Sequence, residues 1–269
     1  MTKIGVQNKL FLQAMIVTDT HTHLYSEEFS EDREQIIKRA KEAGVNRFFV
    51  PAIDSSYTQS MYELEEAYPD NVFLMTGLHP TSVSDNYLEE LDFVRQELER
   101  REFYAIGEIG VDLYWETSTL EIQKEAFQTQ IRLAKKHNLP IVIHCRSAFK
   151  EVFEVLEKEK SEDLYGIFHC FTGTMEDAEQ ALSLNMKLGI GGVVTFKNGK
   201  IDKFLNRIPI EHIVLETDSP YLAPTPFRGK RNESAYIIQV LKKVSELYDI
   251  PLEEVARITT QNSVEIFGI

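Results

Sequence analysis

Eight short apolar runs, each set off from the next by a longer stretch, constrain this 269-residue chain more than any other feature. They read MIVTD, RFFVPA, VFLMTG, FYAIGE, PIVIH, YGIFH, MKLGIG and HIVLET, with the length and the branched or aromatic content of buried strands. The stretches between them include EDREQIIKRAKEAG, NYLEELDFVRQELERR, LEIQKEAFQTQIRLAKKHN and SAFKEVFEVLEKEK. Their apolar residues return every three or four positions, as on a helix with one solvated face. Gly44 stands where a helix would end, and Pro51, Pro80, Pro140 and Pro220 mark strand ends or entries. Strand–helix alternation repeated eight times predicts an α/β fold, a single (β/α)8 TIM-type barrel. A doubly wound open sheet shares the alternation, so the count alone does not separate the two.

The polar residues carry the argument further, because chemistry in such barrels collects at the C-terminal ends of the strands. In VTDTHTHLY, His21 and His23 are two residues apart, so an extended backbone turns both imidazoles to one side. That pair suits a divalent transition metal, though a bare HxH is also what two solvated loop histidines look like. The later runs add to it. His79 follows the third, Glu108 the fourth, His144 the fifth, His169 the sixth and Asp218 the eighth. Five of the seven histidines thus share one structural role, and only His137 and His212 fall outside it.

His21, His23, Glu108, His144, His169 and Asp218 are too many ligands for one tetrahedral ion. They suit two ions bridged by Glu108, with His21, His23 and Asp218 completing one site and His144 and His169 the other. Ions about 3.5–4 Å apart clamp the attacking and leaving oxygens of a displacement and acidify bound water. Asp218 would also orient that water and take its proton. Cys145 and Cys170 each follow a ligand histidine, so strand alternation predicts thiols turned away, behind the barrel wall.

A formal net charge of −14 speaks against a broad basic surface that tracks a long nucleic-acid backbone. A few local cations beside a metal remain compatible with a nucleic-acid substrate, since exposed charges are screened over about 8 Å. Two cysteines fit a reducing, cytoplasmic setting. No apolar run approaches the 18 or so residues of a membrane span, and the first residues lack the apolar core of a signal peptide. Met15 opens the first strand, so residues 1–14 read as an extension outside the fold and residues 15–269 as the barrel. No obligate protein partner is evident.

Taken in order, DTHTH, GLHP, GEIGVD, IHCRSA, HCFTG, LETDSPYLAP and FRGKRNE resemble the TatD-related metal-dependent deoxyribonucleases of the amidohydrolase superfamily. The resemblance runs from about Met15 to the C-terminus. It implies a distorted TIM barrel with a binuclear divalent-metal site at the C-terminal strand ends, using Zn, Mn, Mg, Co or Fe. It implies hydrolysis of phosphodiesters in DNA, typically as a 3′-5′ exonuclease acting on DNA ends or single strands, and it implies that the six residues above are the ligands. Two positions depart from the family pattern: Ser147, where Asp is frequent, and Ser234, where Pro is usual. Arg146, Arg228, Lys230 and Arg231 are candidates for holding phosphate, because a guanidinium matches phosphate oxygens bidentately; surface pairing with the abundant carboxylates is the alternative. Thr172 and the backbone of HCFTGT offer further donors, and His79 a substrate contact or a proton for the leaving group. Tyr114 and Trp115 are candidates for stacking on a base, or for packing within their loop.

Two other readings compete. A C–N or ester hydrolase on the same scaffold would share HxH and the late Asp, but commonly bridges its ions with a carboxylated lysine at the fourth strand. FYAIGEIGVD contains no lysine and offers Glu108 instead. A non-catalytic module with a structural metal would be closed and four-coordinate, whereas here ligands are in excess.

Overall fold

In the computed structural model, residues 16–269 are described; the expected extension over residues 1–14 lies outside them. All eight apolar runs form strands: β1 Val17–Asp19, β2 Val45–Val50, β3 Val72–Leu74, β4 Ile106–Asp112, β5 Ile141–Arg146, β6 Gly166–Phe168, β7 Met186–Ile190 and β8 Ile213–Leu215. Every pairing is parallel, within β1-β2-β3 and within β4-β5-β6-β7-β8. Two seams close the ring. At one, Thr76 bridges to Ile106 and Gly107 N–H donates to the Thr76 carbonyl at 2.9 Å. At the other, Thr20 N–H donates to the Leu215 carbonyl at 3.0 Å and Thr22 bridges to Ser219. Both seams are short, each marked by a single isolated bridge.

Alternation along the strands sorts their side chains into two layers. Phe49, Met75, Ala105, Val142, Ile167 and Val214 form one buried cluster, which fills the lower barrel interior with help from Ile266 and Phe267. Their neighbours Phe48, Val50, Ile106, Ile141, Ile143, Phe168, Ile213 and Leu215 join the larger cluster between barrel and helices. The helices are α1 Arg33–Glu42, α2 Thr58–Ala67, α3 Tyr87–Arg100, α4 Leu120–His137, α5 Phe149–Lys158, α6 Met175–Ser183, α7 Ile237–Tyr248 and α8 Leu252–Phe267. In α4, Ala126, Phe127, Ile131 and Ala134 make the buried stripe, and Asn138 at φ 54° ends the helix in the left-handed region. A reciprocal cap between Thr174 and Asp177 starts α6.

The expected alternation fails once. Among the described residues no α-helix separates β7 from β8; short 3-10 turns at Gly192–Thr195, Ile201–Lys203, Leu205–Arg207 and Ile210–His212 make the crossover. GGVVTFKNGK has paired glycines and β-branched residues where a helix needs straight-chain ones. Two helices follow β8 instead, and α8 closes the floor. There the Phe267 ring stacks on Phe49 at 3.7 Å between centroids.

Candidate metal centre

At the other end of the barrel, one carboxylate sits among five imidazoles. Glu108 is buried, and its two oxygens divide the ring. Oε2 lies 3.2 Å from His21 Nε2 and 3.8 Å from His23 Nε2. Oε1 lies 2.8 Å from His144 Nδ1, 2.8 Å from His169 Nε2 and 3.4 Å from His79 Nε2. Asp218 Oδ1 joins the first group, 3.8 Å from His21 Nε2 and 3.6 Å from His23 Nε2. The six residues expected to ligate are therefore brought together around one carboxylate, with His79 among them and His21 stacked on His169 across the expected division.

Each is placed by a local feature of the backbone. β1 ends at Asp19 and the chain bends at Thr20 and His21 before the bridge at Thr22, which brings His21 and His23 together, each Nε2 within 3.8 Å of Glu108 Oε2. Thr22 faces the other way, its Oγ1 2.7 Å from Ser219 Oγ and 3.2 Å from Ser234 Oγ; Ser234, one of the two departures, thus braces the backbone between the histidines. His144 and His169 follow Val142 and Ile167 at a spacing of two, so the barrel interior turns from apolar to polar along β5 and β6. Glu108 follows no such rule. The β4–β5 register shifts between Gly107 and Ile109, an extra residue that brings Glu108 inward while Ile106 and Ile109 both pack outward. Gly110 lets β4 pass close to β5: at φ 143°, a Cβ there would sit 2.0 Å from the His144 carbonyl oxygen. Asp218, at φ 56°, is held by its N–H donating to the His21 carbonyl at 2.9 Å.

Four buried partners behind these groups escaped the sequence reading. Asp112 Oδ2 lies 2.8 Å from His144 Nε2, which orients that ring with Nδ1 toward Glu108. Glu216 Oε1 accepts from the Cys170 N–H at 2.6 Å and lies 3.4 Å from His169 Nδ1. Tyr25 Oη is 2.9 Å from His23 Nδ1. Asp19 accepts from Thr217 N–H and Oγ1 at 2.9 and 2.6 Å, tying β1 to the end of β8. Glu216 had a readable signal, the period of two from Val214 through Glu216 to Asp218. Asp112 stands in the quoted GEIGVD.

Cys170 corrects an expectation. β6 stops at Phe168 and Cys170 has φ 44°, so alternation does not extend to it. Burial, with Asp218, Glu216 and Glu108 near enough to add their charge, pushes the thiol well above its usual range. It lies beside the centre, not behind the wall. Cys145 is half-buried against the main core, as expected.

The electrostatics are those of a cation site. Burial raises Glu108, but His169, His79, His21 and the His144 hydrogen bond outweigh it and hold the carboxyl well below its usual range. Burial opposes charge on His169, but Glu108 and Glu216 overcome it and raise the imidazole well above normal. His21 is lowered, by burial first and then by His169 stacked 3.8 Å away. Both ring nitrogens of buried His21, with His169 Nδ1 and Glu216 Oε2, have no hydrogen-bond partner. Unpaired buried polar atoms are costly, and here they surround carboxylates. Three sets have ligand atoms within 4.8 Å of one another: His21, His23 and Glu108; His21, His169 and Glu216; His79, Glu108 and His144. Mixed nitrogen and oxygen donors of this kind fit divalent transition metals.

A family model for TatD related DNases matches residues 18–268. The chain belongs to the TatD-related DNase family. It is therefore a hydrolase of nucleic-acid ester bonds that works with divalent metal. The uncharacterized metal-dependent hydrolase YabD of Bacillus subtilis is 42% identical over 252 residues, covering 93% of this chain and 98% of that one. The 3′-5′ ssDNA/RNA exonuclease TatD of Pantoea ananatis is 33% identical over 257 residues, covering 93% and 99%. Among solved structures, the TatD homolog YjjV from Escherichia coli superposes with a TM-score of 0.87 at 30% identity, covering 94% of this chain and 98% of that one. A TatD family hydrolase from Entamoeba histolytica shares the fold, with a TM-score of 0.81 at 22% identity, covering 94% and 98%.

The residues expected to touch substrate in this TatD-family chain divide. Arg146 and Arg228 are exposed, with guanidinium carbons 4.0 Å from the Tyr114 and 3.5 Å from the Phe196 ring centroid. Thr172 is exposed after β6, and Lys230 after β8. Arg231 is a surface pair, its Nη2 2.6 Å from Asp32 Oδ2. His79 is buried against Glu108, and its Nε2 lies 3.2 Å from His144 Nδ1, inside the cluster and not on its rim.

Proposed function

We propose that this chain hydrolyses phosphodiester bonds in single-stranded DNA or at DNA ends, removing nucleotides from the 3′ side, with two divalent ions held by His21, His23, Asp218, His144 and His169 and bridged by Glu108. The observation that carries the proposal is the division of the Glu108 carboxylate, one oxygen toward His21 and His23, which Asp218 also approaches, and the other toward His144, His169 and His79. Bound there, such ions acidify water and neutralise charge on the reacting phosphate.

The chain's own groups do the rest. Asp218 is the more exposed of the two carboxylates, its side chain 13% accessible against 3% for Glu108, so it meets water entering the mouth. Asp218 orients a water molecule and takes its proton as the oxygen–phosphorus bond forms. The bond from phosphorus to the leaving oxygen breaks, and solvent water supplies that oxygen's proton at the open mouth. Arg146 and Arg228 hold non-bridging phosphate oxygens, a task their outward guanidinium edges allow. Residues 1–14 are dispensable for this chemistry, which residues 15–269 perform.

The test is metal analysis of protein purified without chelators, followed by turnover with Zn, Mn, Mg, Co or Fe on end-labelled oligonucleotides, amides and lactones. Two equivalents of metal and stepwise shortening from the 3′ end are expected. Faster turnover of an amide or lactone would overturn the phosphodiester reading.

A further inference from the structure

Among the described residues the exposed large apolar side chains are Ile16, Tyr57, Leu88, Tyr114, Trp115, Tyr221 and Leu222, and five of these, all but Ile16 and Leu88, ring the barrel mouth. Exposed aromatics gathered around a polar centre mark a binding surface more than a packing remnant. Tyr114 and Trp115 stand out at 58% and 68% exposure, edge to face at 4.9 Å. Beyond that mutual contact both rings remain largely open to solvent. Arg146 covers them, its guanidinium carbon 4.0 Å from the Tyr114 centroid and 5.4 Å from that of Trp115. Arg39, Arg101, Arg132 and Arg231 are held by carboxylates, whereas Arg146 joins no ion pair among the described residues.

This group is fixed to the metal centre. Asp112 Oδ1 accepts the N–H of Tyr114 and that of Trp115, each at 2.9 Å, while its Oδ2 meets His144 Nε2 at 2.8 Å. Gln123 of α4 accepts the Asp112 N–H at 2.9 Å and donates to the Glu116 carbonyl at 3.2 Å, so both ends of the loop are tied down. One buried carboxylate thus sets the His144 ring and the aromatic loop in a common register.

We propose that Tyr114, Trp115 and Arg146 form a nucleobase subsite that takes one unstacked base beside the scissile phosphate and so selects single strands over duplex. The proposal rests on the phosphodiesterase reading above and adds where the adjoining base goes. An aromatic face accepts any base, so the subsite is tolerant of sequence. A base inside a duplex has both faces covered and must first be unpaired and unstacked, which disfavours duplex. Arg146 adds a phosphate contact at the same place, which a single-sided aromatic patch would lack.

Trp115 is the only tryptophan of the chain, so its emission reports on this subsite alone. The full-length, metal-loaded protein is titrated with a cleavage-resistant phosphorothioate oligothymidylate, an abasic strand of equal length and a blunt duplex. Only the base-bearing single strand is expected to quench the emission to saturation. By polarisation of labelled strands, the base-bearing one should bind about tenfold tighter than the abasic one, the scale of one stacked base. Trp115→Ala should bring that ratio close to one and Trp115→Phe should keep most of it, with Leu88→Ala as an exposed control and circular dichroism confirming the fold. Equal affinity for base-bearing and abasic strands, or an unchanged ratio in Trp115→Ala, would overturn the subsite. Quenching without cleavage of any phosphodiester would instead overturn the functional reading and leave the subsite standing.

Discussion

The two ends of the barrel interior are built on the same strands and obey opposite rules. At the floor, Phe49, Met75, Val142, Ile167 and Val214 close around Phe267, and burial of apolar surface does the stabilising. Two residues further along β5 and β6, His144 and His169 face the same interior, with unpaired nitrogens and a carboxylate among them. A polar group buried without a partner opposes folding, so the mouth draws its rigidity from the floor. The comparison teaches a division of labour: substitutions at the mouth should alter chemistry with little change in melting, and substitutions at the floor the reverse.

Glu108→Gln puts the largest load on that division. It keeps the shape of the bridge but removes its charge, and turnover should fall about 10³-fold or more as the ions lose their shared ligand. Metal content by elemental analysis should fall with it, while circular dichroism stays unchanged. Full metal content in this variant would end the assignment of Glu108 as the bridge. Phe267→Ala is the counterpart at the floor. Removing a buried aromatic costs about 3–5 kcal/mol. For a domain of this size that is a drop of about 6–20 °C in melting temperature. Below the transition kcat should hold. A collapse of kcat in the still-folded variant would show that floor and mouth are coupled.

The same contrast explains what the sequence made legible. The floor follows alternation, so all eight strands and their inward residues were readable from apolar runs. His144 and His169 were readable because they continue that alternation, whereas the HxH pair was readable as a motif and is turned inward by bends at Thr20 and His21. Glu108 was readable as a residue type, but its expected place at a strand end is corrected: β4 runs from Ile106 to Asp112 and holds it within the strand. Its orientation comes from the extra residue in β4, which a period of two cannot reveal. Cys170 failed for a related reason, since its positive φ ends the pattern that would have turned it away. Asp112 was not legible, because a buried carboxylate behind a ligand looks, in sequence, like any other acidic residue, whereas Glu216 carried a signal in its spacing of two from Val214 and Asp218. The β7–β8 crossover departs from the eightfold alternation because GGVVTFKNGK opposes a helix.

Two smaller effects grade the mouth itself. Asp218→Asn keeps the shape and loses the base, and kcat should fall about 10²-fold, the scale of general base catalysis. An unchanged kcat would mean that water is activated elsewhere in the cluster. Asp112→Asn acts one step further out, through His144. Partners of metal-ligating histidines are worth about 10- to 100-fold in metal affinity or activity, and the lower end is expected here because Glu108 still holds Nδ1. Because Asp112 also holds the Tyr114–Trp115 loop, its loss should raise KM for single strands as well as lower metal affinity. Metal affinity reduced with an unchanged KM would separate the loop from the centre.

The smallest effect concerns where the chain enters. Ile16 precedes β1 at the floor end, and its carbonyl accepts from Thr260 Oγ1 of α8 at 2.9 Å. A protein starting at Met15 keeps that hydrogen bond, the whole of β1 and every residue of the cluster. If residues 1–14 are an extension outside the fold, their removal should leave kcat and KM unchanged and shift stability by less than about 0.5 kcal/mol, the range of changes that touch no buried feature. That corresponds to about 1–2 °C in melting temperature. The floor is the sensitive part of this test. A loss of several degrees with activity intact would add the extension to the apolar plug around Phe267 and Phe49. A loss of activity with melting intact would break the division between floor and mouth.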